Sequence, residues 1–185
     1  MKLFRFTIIA LLTLFFAACE NKMSEIQGIS DYDKLPTVSS YDFEMLYSDS
    51  ARVKAKLEAP QRDNYEGDNP YVEMPRGMKV VFYDSIKRPE TTLTAKYGIR
   101  KENDDIMEAR NNVVVTNSKG ETLNTEQLMW DERTEKLYSD VFVKITTPDQ
   151  IIFGEGFESN QNFTKYRINK IKGTIKVKNS PVEPK

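Results

Sequence analysis

From Phe43 to Lys178 apolar and polar residues alternate in short runs, the period of a half-buried β-strand. LYSDSARVKAKLEA, GMKVVFYDS, TTLTAKYGIR, DIMEARNNVVVTN, KLYSDVFVKITT and QIIFGEGFES show this alternation or are rich in β-branched residues. Turn chemistry separates them, at Asn117-Ser118-Lys119-Gly120, Asp131-Glu132-Arg133-Thr134 and Thr147-Pro148-Asp149. A helix is an alternative over Ser40 to Met45 and over Glu121 to Met129, where Leu123, Thr125 and Leu128 fit neither period cleanly. The pattern predicts one all-β domain over residues 41–178, followed by a tail at 179–185.

The strands repeat. Leu93, Leu123 and Ile152 sit in similar settings (TTLTA, ETLNT, QIIFG) at spacings of 30 and 29 residues. Ile106, Leu137 and Ile168 form a second series, 31 residues apart. The unit is therefore two strands in about 30 residues, as in a quasi-one-dimensional antiparallel stack whose neighbours bury each other's apolar faces. Such a stack is expected to have free edges, unlike a closed barrel.

Each strand offers one apolar face. Leu137, Val141, Val143 and Ile145 share a side, against Tyr138, Asp140 and Lys144, with Phe142 as an apolar exception. Leu93, Ala95, Tyr97 and Ile99 form a second set; Ile171, Gly173, Ile175 and Val177 form a third, opposite a row of lysines. Alternation of this kind builds either a filled sandwich core or a groove lined for an apolar ligand, and periodicity does not separate the two. Lysines on a last strand commonly guard an edge against unwanted pairing, and they also suit lipid phosphates.

The amino terminus sets the compartment. Lys2 and Arg5 precede an uncharged run from Phe6 to Ala18, shorter than the roughly 20 residues of a membrane span. Ala17 and Ala18 close it, as signal-peptide cleavage requires. Cys19, the one cysteine, follows directly, and the arrangement resembles the lipobox of bacterial lipoproteins, with Phe16 where leucine is usual. Residues 1–18 are thus expected to be a signal peptide, Cys19 a lipid anchor, and 19–40 a lipidated tether. Removing residues 1–18 leaves 167 residues and moves the net charge from −1 to −3 through loss of Lys2 and Arg5. That balance argues against nucleic-acid binding.

Catalytic chemistry has no evident seat. There is no histidine, no second cysteine and no phosphate-binding glycine loop; Gly154-Glu155-Gly156 is too short for a nucleotide fingerprint. DNYEGDN, Asp63 to Asn69, lacks the spacing of a calcium loop and reads as a solvated turn. Neither a metal nor a cofactor is expected.

Several segments in order resemble the LptC family of lipopolysaccharide export. They are Leu93-Thr94-Ala95, Asn112-Val113-Val114-Val115, Gly120-Glu121-Thr122-Leu123, Leu128-Met129-Trp130-Asp131 and Gly154-Glu155-Gly156, within a likeness over residues 41–177. The resemblance implies a twisted, open antiparallel β-jellyroll of the OstA/LptA-like kind, without catalytic activity. It implies an interior that shields lipopolysaccharide acyl chains, lined by Val80, Phe82, Leu93, Ala95, Val113, Val115, Leu123, Trp130, Leu137, Val141, Val143, Ile145, Ile152, Ile168 and Ile171. The partners implied are the ABC transporter membrane subunits LptF and LptG at the amino-terminal edge. At the carboxy-terminal edge, Ile171, Gly173, Ile175 and Val177 would pair with the periplasmic bridge protein LptA. A periplasmic protein, lipid-anchored at the inner membrane of a Gram-negative cell, is expected. The alternative is an envelope lipoprotein whose closed β-sandwich binds a glycan or a protein.

Overall fold

A computed structural model describes residues 35–176 of the chain. They form eleven strands: β1 (Val38–Asp49), β2 (Arg52–Tyr65), β3 (Tyr71–Met74), β4 (Met78–Tyr83), β5 (Pro89–Ala95), β6 (Tyr97–Lys101), β7 (Ile106–Asn117), β8 (Thr122–Asp131), β9 (Lys136–Thr146), β10 (Gln150–Asn160) and β11 (Tyr166–Lys176). All pairings are antiparallel and all strands belong to one sheet. Both segments weighed as helices are strands: β1 begins at Val38, inside the stretch expected to be tether, and β8 covers 122–131. In each, pairing with a neighbour overrides a weak local helical pattern.

β3 and β4 both pair with β2, and β5 and β6 both reach β7. They behave as two long strands interrupted at 75–77 and at Lys96. The remaining order is sequential, β7 to β11. Among the described residues β1 pairs only with β2 and β11 only with β10, and the sheet they form does not close on itself. It is a twisted, open β-jellyroll.

A line of one-residue register shifts crosses this sheet. It passes Arg110/Val113 between β7 and β8, Thr125/Met129 between β8 and β9, Glu155/Phe157 between β9 and β10, and Phe153/Gly154 between β10 and β11. Asn111 and Asn112 occupy the left-handed region at φ 63° and 53°, and Gly156 does so at 74°. Asn tolerates that region better than most side chains, and Gly has no Cβ to hinder it. The Lys96 amide donates to Asn111 O at 3.0 Å, joining the β5–β6 interruption to the β7 bulge. Each bulge bends its strand and sharpens the local twist, so together they roll the sheet over its own apolar face.

The thirty-residue repeat becomes a spatial row. Leu93 faces Val115, Val115 faces Leu123, Leu123 faces Ile145 and Ile145 faces Ile152 across successive ladders. Directly opposed residues share a face. The three members of the first series thus lie in one apolar line, with a β7 or β9 residue between each pair.

Bulges also explain two errors of face. Beyond Lys96 the alternation slips by one: Gly98 is buried against Met74 and Ala109, whereas Tyr97 and Ile99 pair with Arg110 and Glu108. In β11 the extra residue is Lys172. Ile171 opposes the buried Gly154, but Gly173 opposes Phe153 and Ile175 opposes Ile151 on the other face. The expectation that Ile171, Gly173 and Ile175 share a side is therefore wrong. Val177 and Cys19 lie outside the described residues.

Candidate functional site

Three cross-strand rows line the inner face. The first extends the Leu93 line through Val80 to Leu57. The second runs Val113, Thr125, Val143, Gly154, Ile171, and the third Met107, Trp130, Leu137, Ser159, Tyr166. Of the expected lining residues, Val80, Phe82, Leu93, Val113, Val115, Leu123, Trp130, Leu137, Val143, Ile145 and Ile152 join one buried cluster. Ala95 and Ile168 pack against it half-buried. Val141 is half-buried, and Ile171 at the β11 edge is 63 % exposed.

The centre of this interior is filled by its own side chains. Val113, Val115, Leu123, Leu137, Val143 and Ile145 are all 0 % exposed. One end is stopped by the β10–β11 turn, which folds Phe163 inward against Phe157 and Tyr166, with ring centroids 5.8 and 5.3 Å away. Asn117 locks this stop: its Nδ2 donates to Phe163 O at 3.1 Å. Burial pushes the Tyr166 hydroxyl above its usual range.

The interior opens beside β1. A cleft of about 300 Å³ lies among Phe43, Met45 and Tyr47 of β1, Leu57 of β2, and Met74 and Met107 across from them. Tyr47 meets Trp130 edge-on at 5.6 Å, and Phe82 meets the same indole edge-on at 5.0 Å. Methionines suit such a place, since their flexible, polarizable chains repack around irregular apolar shapes. The rim is polar. Arg100 donates to both carboxylate oxygens of Glu132, at 2.7 and 3.2 Å, and this holds the guanidinium above its ordinary range. Burial, with the Glu132 charge behind it, likewise raises the Tyr47 hydroxyl.

The β1 residues of this lip were missed in the sequence. Phe43, Met45 and Tyr47 alternate at period two, which was the available signal, but YDFEML also reads as a helix start. Phe163 was missed because it stands in a polar turn. Asp63 of the DNYEGDN stretch is buried and accepts from Gln61 Nε2 at 3.0 and 2.8 Å, a contact within the strand. Among the described residues no group of three or more His, Cys, Asp or Glu side chains is placed to hold a metal ion.

The described residues thus form an unclosed antiparallel roll, apolar on one face and lipped along its first strand. Residues 6–175 match the family described as Lipopolysaccharide-assembly, LptC-related. The chain belongs to the LptC family, a non-catalytic component of lipopolysaccharide transport associated with the periplasm and inner membrane. A search of curated proteins found no match.

Proposed function

We propose that this protein takes lipopolysaccharide from the membrane subunits LptF and LptG at its β1 edge, shelters the acyl chains inside the roll and passes them to LptA at its β11 edge. Cys19, acylated, would hold it at the periplasmic face of the inner membrane. The observation that supports this best is the lip: β1 turns Phe43, Met45 and Tyr47 toward an apolar cleft while pairing, among the described residues, with β2 alone. Because the centre is filled, acyl chains enter where β1 lifts from the cleft rather than sliding into an empty tunnel. Each methylene moved out of water gains about 0.8 kcal/mol, which offsets the core contacts given up. The edges that β1 and β11 leave unpaired among the described residues fit strand addition by protein partners. No cofactor is needed, since hydrolysis at the transporter supplies the work.

The test is a photocrosslinking probe placed in cells at Met45, which is 37 % exposed, and separately at Leu46, which is 55 % exposed and pairs with Lys56 on the opposite face. Lipopolysaccharide adducts that depend on ATP are expected from Met45 and not from Leu46. Adducts from neither, with the protein folded and exported, favour a closed sandwich that binds a glycan or a protein. The fully buried centre is the observation behind that second reading.

A further inference from the structure

Among the described residues four buried side-chain atoms lack a hydrogen-bond partner: Thr91 Oγ1, Trp130 Nε1, Gln161 Oε1 and Asn162 Oδ1. The residues that carry two of them, Gln161 and Asn162, line a single cleft of about 390 Å³ with Arg52, Lys54, Tyr83, Asp84, Glu90 and Glu135. Thr91 follows Glu90 directly in β5. This cleft is separate from the apolar lip and is within the size range of small-molecule sites, about 300–1,000 Å³.

The backbone that carries the two unpaired amide oxygens is held in place. Gln161 is 5 % exposed, and its backbone N–H donates to Glu135 O at 2.9 Å. The turn behind it is tied by Phe163 N–H to Asn160 O at 2.9 Å and by Asn117 Nδ2 to Phe163 O. A buried acceptor without a donor is destabilising, so the fold keeps a penalty that a ligand with donors would remove.

The lining selects the chemistry of that ligand. An apolar chain would leave the amide oxygens stranded. A phosphate would face Asp84, Glu90 and Glu135, and a metal ion would compete with Lys54, whose ammonium already sits 3.3 Å from Glu135. Hydroxyl groups satisfy both kinds of wall, donating to Gln161 and Asn162 while accepting from Arg52 and Lys54. The half-buried Tyr83 ring offers an apolar surface to the C–H face of a sugar. We propose that this cleft is a saccharide-binding subsite. That it takes the sugar head of the transported lipid rests on the transport reading above; the recognition of hydroxyls does not.

The test follows the side-chain amide resonances of Gln161 and Asn162 in the full chain during titration with the lipid-free core oligosaccharide released from lipopolysaccharide by mild acid. A second titration uses the peptidoglycan disaccharide of N-acetylglucosamine and N-acetylmuramic acid. Saturable shifts of both amides with the core oligosaccharide are expected, weakened at least tenfold in Gln161→Leu. That variant should unfold no earlier than the wild type, because it removes an unpaired acceptor. Should it fail to fold, the surface variant Arg52→Ala is expected to weaken binding in the same direction. No amide shift with either sugar, or wild-type affinity in the variants, overturns the proposal. Equal binding of the peptidoglycan disaccharide overturns its assignment to the transported lipid. Crosslinking at Met45 reads acyl sheltering alone, so the two failures are distinguishable.

Discussion

Gly154→Ala puts a single methyl where the β11 backbone lies close against β10. A Cβ built at Gly154 would lie 2.8 Å from Lys170 O and would also collide with Ile168 Cγ2. The isoleucine can rotate aside; the carbonyl belongs to the β11 backbone and cannot. Ordinary contact begins near 3.4 Å, so the two strands must part by about 0.6 Å at this point, lengthening the ladder bonds beside it. Overpacking of this size costs about 1–3 kcal/mol. For a chain of this length each kcal/mol lowers the melting temperature by about 2–4 °C, so a fall of about 6 °C is expected near the middle of the range. The strain is local to the last ladder. Hydrogen exchange should therefore accelerate at β11 amides while those of β4 and β5, several strands away in the sheet order, keep their protection. An unchanged melting temperature with unchanged β11 exchange would refute the reasoning, showing that the ladder absorbs the methyl without parting.

Asn117→Ala removes donors to Glu121 Oε2 and Phe163 O and an acceptor for the Lys119 and Glu121 amides, and should cost about 2–3 kcal/mol in urea unfolding. Limited proteolysis at the 160–165 turn should rise with it, since Phe163 loses its tie. The Glu108 carboxyl is held below its usual value near 4.5 chiefly by Arg110, with burial opposing and Gln127 assisting. Its stabilisation is complete above that pH and is lost as the pH falls through the lower, folded value. Urea midpoints of the wild type should accordingly fall more steeply from pH 5 to pH 3 than those of Glu108→Gln; equal slopes would count against the ion pair.

What the sequence disclosed followed from period and spacing. Leu93, Leu123 and Ile152 could be matched because the two-strand unit keeps nearly constant length, and they do stand in one row. The same counting failed at Lys96 and at Lys172, where one added residue exchanges the faces of everything beyond it. A bulge of that sort has little signature of its own: neither lysine has the positive φ that marks Asn111, Asn112 and Gly156. The core residues Val113, Val143 and Leu137 were legible as inward-facing, yet not as filled, since volume is a property of the assembled sheet. The β1 lip and the Phe163 stop were hidden for a related reason. Both depend on segments distant in sequence meeting across the roll, as Tyr47 meets Trp130 and Asn117 meets Phe163.

The Lys172 bulge has a bearing on what can extend the sheet. On the outer side of β11, main-chain donors and acceptors run in two phases, one over 166–171 and another over 173–176, offset by a single residue. A regular strand laid along it can match one phase and must mispair with the other. Only a strand with a compensating kink, or one that stops short, engages without loss. In the proposed pairing the edge would act as a key cut into the backbone, sorting arrivals by the shape of their main chain. Under the proposed strand addition, side-chain sequence in the arriving strand would be free to drift while its main-chain fit to this edge is kept.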